Sequence, residues 1–227
     1  MQPDHLNLKF KGRVAKRKDS QKKRDAILNA ALRIIVRDGI RDVRHRSVAK
    51  EAKVSLSATT YYFDDIESLV HDAYLFFVQQ SIHEIDTLEQ HALNALEHFQ
   101  RNQNSEELKS NLKKLLLTHV KAQTDNHDAR VIEWSFRQQA LRDDKLAAAL
   151  YTPQKMMLTA LEQFFIAFNH NEKHASAKAN IMMGTLLQLE YQLLMSQHSG
   201  MTLAKAKHAI DTLLDETMFI HKGELAI

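Results

Sequence analysis

Residues 44–69 read RHRSVAKEAKVSLSATTYYFDDIESL, and the rest of the chain is best read outward from them. Val48, Ala49 and Ala52 recur at helical spacing over about two turns, and the run Ser57 to Tyr62 suggests another helix as short. Lys53, Val54 and Ser55 lie between them, and Ala49 with Val54 would close the inter-helix core around that turn, which is the spacing of a helix-turn-helix. A helix entering the major groove of a duplex needs small residues for close approach, and hydroxyls or amides for phosphates and base edges. Ser57, Ala58, Thr59 and Thr60 supply them. Tyr61 and Tyr62 can reach flanking phosphates. Phe63 reads as a core aromatic, and for Tyr62 a core place and a phosphate contact stand equally open.

Upstream, a helical period begins at Lys22: Ile27, Ala30, Ala31, Ile34 and Ile35 fall on one face, and Lys23, Arg33 and Arg37 stay outside. Gly39 follows, where a left-handed C-terminal cap costs least. Three helices this short are not stable separately, so they are expected to share a core of Ile27, Ala31, Ile34, Val48, Ala49, Val54 and Phe63. The residues before Gln21 carry Lys9, Lys11, Arg13, Lys16, Arg17 and Lys18 with few large apolar groups, and read as a mobile basic arm. Charge follows the same division. Residues 1–53 hold 16 Lys and Arg against 6 Asp and Glu, a net of +10, while residues 54–227 carry −7. A basic block beside an acidic remainder suits a phosphate-binding module attached to a domain with another partner; a solubilising tail is the bland alternative.

The helix, Gly39, then VAKEAKVSLSATTYYF and DDIESLV resemble the DNA-binding domain of the TetR family, whose usual form is IAxxAGVSxxTxYxxF followed by K-x-x-L. The likeness covers residues 24 to 70. It implies an all-α fold: an N-terminal three-helix helix-turn-helix domain plus a larger C-terminal helical bundle domain of about six helices, whose last two build the four-helix bundle of a homodimer. It places DNA contacts on Arg44, His45 and Arg46, and on Ser55, Leu56, Ser57, Ala58, Thr60, Tyr61 and Tyr62. Three positions depart from the pattern. Lys53 stands at the usual turn glycine and would need a positive φ, Arg44 replaces the common Thr cap, and Ile66 stands where a phosphate-contacting Lys is frequent. The arm, with Lys16, Arg17 and Lys18, is expected to compensate by entering a minor groove.

Separate jobs follow for arm and helix. About six neutralised phosphates give a steep salt dependence without sequence information, near −0.9 in log–log slope per contact. Specificity has to come from base edges, at roughly 1 to 3 kcal/mol per bidentate contact, and Arg44 and Arg46 are the strong bidentate candidates. One copy reads too few bases, so a two-fold dimer on an inverted-repeat, palindromic operator is expected, its reading helices about 35 Å apart or somewhat more.

The expected domains are a basic arm over 1–22, a helix-turn-helix domain over 23–68 and a ligand-binding and dimerisation domain over 69–227. In the last, long helices are expected: one capped by Asp64 or Asp65 and running past Leu88, one after Asn104 and Glu107, one opened by Asp128, one with Pro153 near its start, and two final ones over 176–197 and 202–219. Ile181, Leu186, Leu189 and Leu193, then Ala206, Ile210, Leu213 and Leu214, suit either a dimer interface or an intramolecular core. Phe76, Phe77, Trp134, Phe136, Met156, Met157, Met182, Met183 and Tyr191 are candidates to line a pocket for an apolar or amphipathic small-molecule effector, which would shift the separation of the two reading heads; plain core is the competing reading.

Several classes are disfavoured. With no Cys there is neither disulfide nor thiolate metal site. Apolar runs such as residues 164–168 fall far short of the roughly 20 needed to span a bilayer, and the polar N-terminus does not read as a secretory signal, so a cytoplasmic protein without a membrane partner is expected. His170 with His174, and His91 with His98, read as solvated histidines rather than metal ligands. No GxSxG, glycine-rich phosphate loop or Cys nucleophile occurs, so no enzyme and no cofactor are expected. A helical enzyme, or a membrane-surface or scaffold protein using its basic arm on anionic lipid, is the alternative.

Overall fold

The computed structural model describes residues 9–169 and 173–219, with the side chains of 82–86, 169 and 219 left aside. All regular structure among them is helical. Helix α1, Lys18–Asp38, buries Ile27, Leu28, Ala31, Ile34 and Ile35 along one face and stops at Gly39. Gly39 takes φ +91°, its amide donating to the Ile35 carbonyl, so glycine is the residue that ends this helix without strain. A 3-10 turn, Ile40–Asp42, leads to α2, His45–Ala52. Arg44 cannot cap α2 as Thr would; instead the Ser47 hydroxyl accepts from the Arg44 amide at 3.0 Å. Lys53 adopts the left-handed conformation (φ 56°, ψ 41°) that the turn requires. Helix α3, Leu56–Tyr62, starts at Ser55, whose hydroxyl accepts from the Ala58 amide at 3.2 Å.

The remaining helices are α4 (Ile66–Asn102), α5 (Ser105–Asp125), α6 (His127–Ala140), α7 (Asp144–Asn169), α8 (Ala175–Leu194), the single turn α9 (Ser196–Ser199) and α10 (Leu203–Leu214). The Asp65 carboxylate accepts from the Ser68 amide at the start of α4, and Asn104 from the Glu107 amide at the start of α5. Pro153 is a correction: it lies inside α7, not near its start. Asp143 fixes the start nine residues earlier by accepting from the Leu146 amide at 3.0 Å, and the missing Pro N–H leaves α7 without one internal hydrogen bond.

The chain forms two compact units, 1–82 with 128–153, and 83–127 with 154–227. This division differs from the expected boundary at 68/69. In the first unit the short helices cannot bury their apolar faces on one another alone. Leu69, Ala73, Tyr74 and Val78 of α4, Ile132 and Phe136 of α6, and Leu146 of α7 complete the core around Ile27, Ile34, Val48 and Phe63. The basic arm is also revised. Lys18–Gln21 is already the first turn of α1, and Phe10 and Ala15 pack on the core of the first unit rather than standing free; residues 1–8 lie outside the described part.

In the second unit α5 packs against both α8 and α10. The core holds Leu96, Leu108, Leu112, Leu116, Val120, Phe165, Met182, Leu186, Leu189, Ile210 and Leu214. Lys109 with Asp215 at 2.7 Å and Lys113 with Asp211 at 2.6 Å join α5 to α10 and its C-terminal cap. Of the residues weighed for a dimer interface, Leu186, Leu189, Ala206, Ile210, Leu213 and Leu214 are buried within this core, and Leu193 is half-buried. Ile181 is 54% exposed. It shares the outer face of α8 with Ala177, Gly184, Gln188 and Tyr191, all exposed.

Candidate nucleic-acid interface

Seven residues of helix do not hold their own shape, so α3 depends on what grips its inner side. Thr59 is fully buried and donates its hydroxyl to the Leu56 carbonyl at 2.8 Å. Phe63, also fully buried, closes the helix with its amide on the Thr59 carbonyl. Tyr62 is 5% exposed, and its hydroxyl donates to the Ser20 carbonyl of α1 at 3.1 Å. Tyr62 is thus a core residue with a satisfied hydroxyl, which corrects its placement among phosphate contacts.

The outer side is opposite in character. Ser55, Leu56, Ser57, Thr60 and Tyr61 are exposed and Ala58 half-buried. Ser55 and Ser57 hydroxyls lie 2.9 Å apart, and the Thr60 hydroxyl leans back on the Ser57 carbonyl at 3.3 Å, leaving a short, smooth face. Leu56 is 45% exposed, an apolar side chain of the kind that packs on a thymine methyl. Four cations are exposed on the preceding helix and turn: Arg44 and Arg46 at the start of α2, and Lys50 and Lys53 at its end. His45 is half-buried, and its Nδ1, shielded from solvent, has no hydrogen-bond partner in the structure. Lys16, Arg17 and Lys18 are exposed at the head of α1. Across the other side of α2, Glu51 takes Arg33 at 2.8 Å and Arg37 at 3.1 Å; hydrogen bonds from Arg33 and Arg37 hold its carboxyl below the usual range.

The sequence reading missed the group beneath α3. Asp72 of α4, wholly buried, accepts from the Arg24 guanidinium at 2.7 Å, from the Lys11 and Gly12 amides at 2.8 and 2.9 Å, and contacts His71 Nδ1 at 3.1 Å. Burial pushes this carboxyl up, but the hydrogen bond from His71, the two amides and the Arg24 charge outweigh it and hold it below the ordinary range. Phe10, the one large aromatic in the basic segment, was the available signal: its ring lies 4.8 Å from the Arg24 guanidinium.

The candidate effector residues divide between the two units. Phe76, Phe77, Trp134 and Phe136 belong to the first unit, and Met156, Met157, Met182, Met183 and Tyr191 to the second. Phe136 is fully buried against Tyr74, ring centroids 4.9 Å apart, and Met182 and Met183 are buried in helix α8; these three are packed core, a correction to the pocket reading. Trp134, Met156 and Tyr191 are exposed, and Phe76, Phe77 and Met157 half-buried. A cavity of about 200 Å³ lies elsewhere in the first unit, among Ile40, Val43, Ile66, Val70, Gln139 and Leu146. Among the described residues no group of three or more His, Asp or Glu is placed to hold a metal. His170 lies outside the described residues, and His91, His98 and His174 are exposed. No helix among those residues is long and apolar enough to cross a membrane.

No family model matches this sequence, and no curated protein matches it. Solved structures do. A protein from Mesorhizobium loti assigned to the TetR family of transcriptional regulators superposes with a TM-score of 0.67 at 15% identity, covering 88% of this chain and 97% of that one. A TetR transcription regulator from Haloarcula marismortui gives 0.60 at 15% identity over 86% and 98%. The multidrug binding protein EbrR, in complex with imidazole, gives 0.50 at 21% identity over 84% and 94%. The all-helical chain, helix-turn-helix at its head, thus has the fold of the TetR-family transcriptional regulators.

Proposed function

We propose that this chain is a DNA-binding transcriptional regulator, a repressor, working in the cytoplasm as a homodimer on an inverted-repeat operator. One observation carries the reading: α3 is gripped on one side by Thr59, Tyr62 and Phe63 and on the other exposes Ser57, Thr60, Tyr61 and Leu56, while the preceding helix and turn expose Arg44, Arg46, Lys50 and Lys53. A rigid, small-residue face together with exposed cations is what major-groove reading needs. The exposed stripe on α8, with Ile181 and Tyr191 beside Gly184, supports association of two copies. Release by a small apolar or amphipathic effector is the third part, supported by the likeness to a multidrug-binding protein; such a ligand acts by binding the DNA-free state better.

The test is selection from a pool of random duplexes, followed by affinity measurement at moderate ionic strength. Enrichment of an inverted repeat, and its release by apolar compounds, is expected. A pool returned without sequence preference, with equal binding to anionic vesicles, contradicts the proposal.

A further inference from the structure

The segment before α1 is bound to the end of the reading helix, not trailing from it. The Asp72 carboxylate takes the Lys11 and Gly12 amides on its two oxygens, and the next amide, Arg13, donates to the Tyr62 carbonyl at 2.8 Å. That carbonyl belongs to the last residue of α3 and has no acceptor role inside the helix, so the segment caps the reading helix at its C-terminus. Gly12 makes the close approach possible. A Cβ there would fall 2.5 Å from a Phe63 ring carbon and 2.9 Å from the Tyr62 carbonyl oxygen. Arg13 is thereby set beside the exposed face of α3: its guanidinium lies 4.8 Å from the centre of the Tyr61 ring, and its carboxylate neighbour is exposed Asp64 at a loose 3.9 Å.

We propose that Phe10–Arg13 is a clasp, closed by Asp72 and fitted around Gly12, that holds Arg13 in register with α3 as a DNA-phosphate contact. The inference rests on the DNA-binding reading and adds to it a fixed cation that no helix supplies. Tyr61 supports the guanidinium plane from below, and a phosphate replaces the distant, solvated Asp64 at little cost. Holding the side chain in place before binding removes the ordering that a free arm would undergo. Gly12 and Asp72 are positioning residues; Arg13 touches the nucleic acid.

Three full-length variants are compared on the selected duplex across a salt series, with a thermal melt of each as the folding control. Arg13→Ala is expected to bind about five- to tenfold more weakly and to lower the log–log salt slope by about 1. Arg13→Lys should restore the slope. Gly12→Ala, with Arg13 intact, should lose affinity and slope as Arg13→Ala does, and trypsin should cut after Arg13 and Lys16 faster than in the unaltered protein. Unaltered affinity and slope in both Arg13→Ala and Gly12→Ala, with the unaltered protein still preferring its inverted repeat, overturns the clasp and leaves the DNA-binding reading standing. Failure of the unaltered protein to prefer any duplex overturns both.

Discussion

The Arg24 guanidinium and the Asp72 carboxylate meet at 2.7 Å with side chains 7% and 0% exposed, joining α1 to α4. A pair so dry is stable only because each charge has other company. Asp72 has two backbone amides and His71, while the guanidinium of Arg24 lies near the rings of Phe10 and Phe63 at 4.8 and 5.6 Å. Asp72→Ala leaves a buried guanidinium uncompensated and is expected to cost about 3–5 kcal/mol, read as a fall in the urea midpoint.

The same carboxyl sets a pH dependence. Its folded value is held below that of the unfolded chain, so its stabilisation is fully present above the unfolded range near about pH 4 and is lost as pH falls through the lower folded value. Urea midpoints taken between about pH 5 and 2 should therefore fall less steeply in Asp72→Asn than in the unaltered protein. Identical slopes contradict the assignment.

Adjacent tyrosines should behave oppositely. Tyr62→Phe removes a buried hydroxyl from the Ser20 carbonyl and should lower stability by about 1 kcal/mol with operator affinity retained. Tyr61→Phe alters an exposed hydroxyl and should leave stability unchanged while weakening DNA binding across all sequences. Paired melts and binding curves separate the two.

Arg46 is exposed at the first turn of α2. Arg46→Ala should cost about 1–3 kcal/mol on the selected operator and much less on scrambled duplex, relaxing preference at one position per half-site.

Lys53 holds φ 56° at the turn between α2 and α3. Lys53→Gly relieves a left-handed side chain and should raise stability by about 1 kcal/mol in urea. It should also shallow the salt slope of DNA binding, because a cation leaves the interface.

The head of the molecule was legible because its signals are local. Gly39 punctuates α1, and the apolar spacing of Ile27, Ile34, Val48 and Phe63 fixes which faces meet. Lys53 could be assigned a positive φ from its place in the turn alone. What was not legible depends on long-range partners. Tyr61 and Tyr62 are neighbours of identical chemistry, and only Ser20 of α1, 42 residues away, decides which is inside. Asp72 reads as one more helical carboxylate until Lys11 and Gly12, some 60 positions upstream, are seen on it. In α8 the helical period marks Leu186 and Leu189 as apolar, but only the packing of α5 shows that they face inward while Ile181 faces out. Pro153 was misjudged for the opposite reason: a local rule about helix starts was outweighed by the Asp143 cap farther back.

In the proposed function α3 reads DNA sequence from two copies of the chain. The most direct measurement is the affinity of the intact protein, at about physiological salt, for its selected inverted repeat against the same duplex with one half-site scrambled and with both scrambled. Binding to the intact repeat is expected to be about 10³-fold or more above that to the fully scrambled duplex, with a large part lost when one half-site is destroyed. Equal affinity for all three duplexes contradicts it.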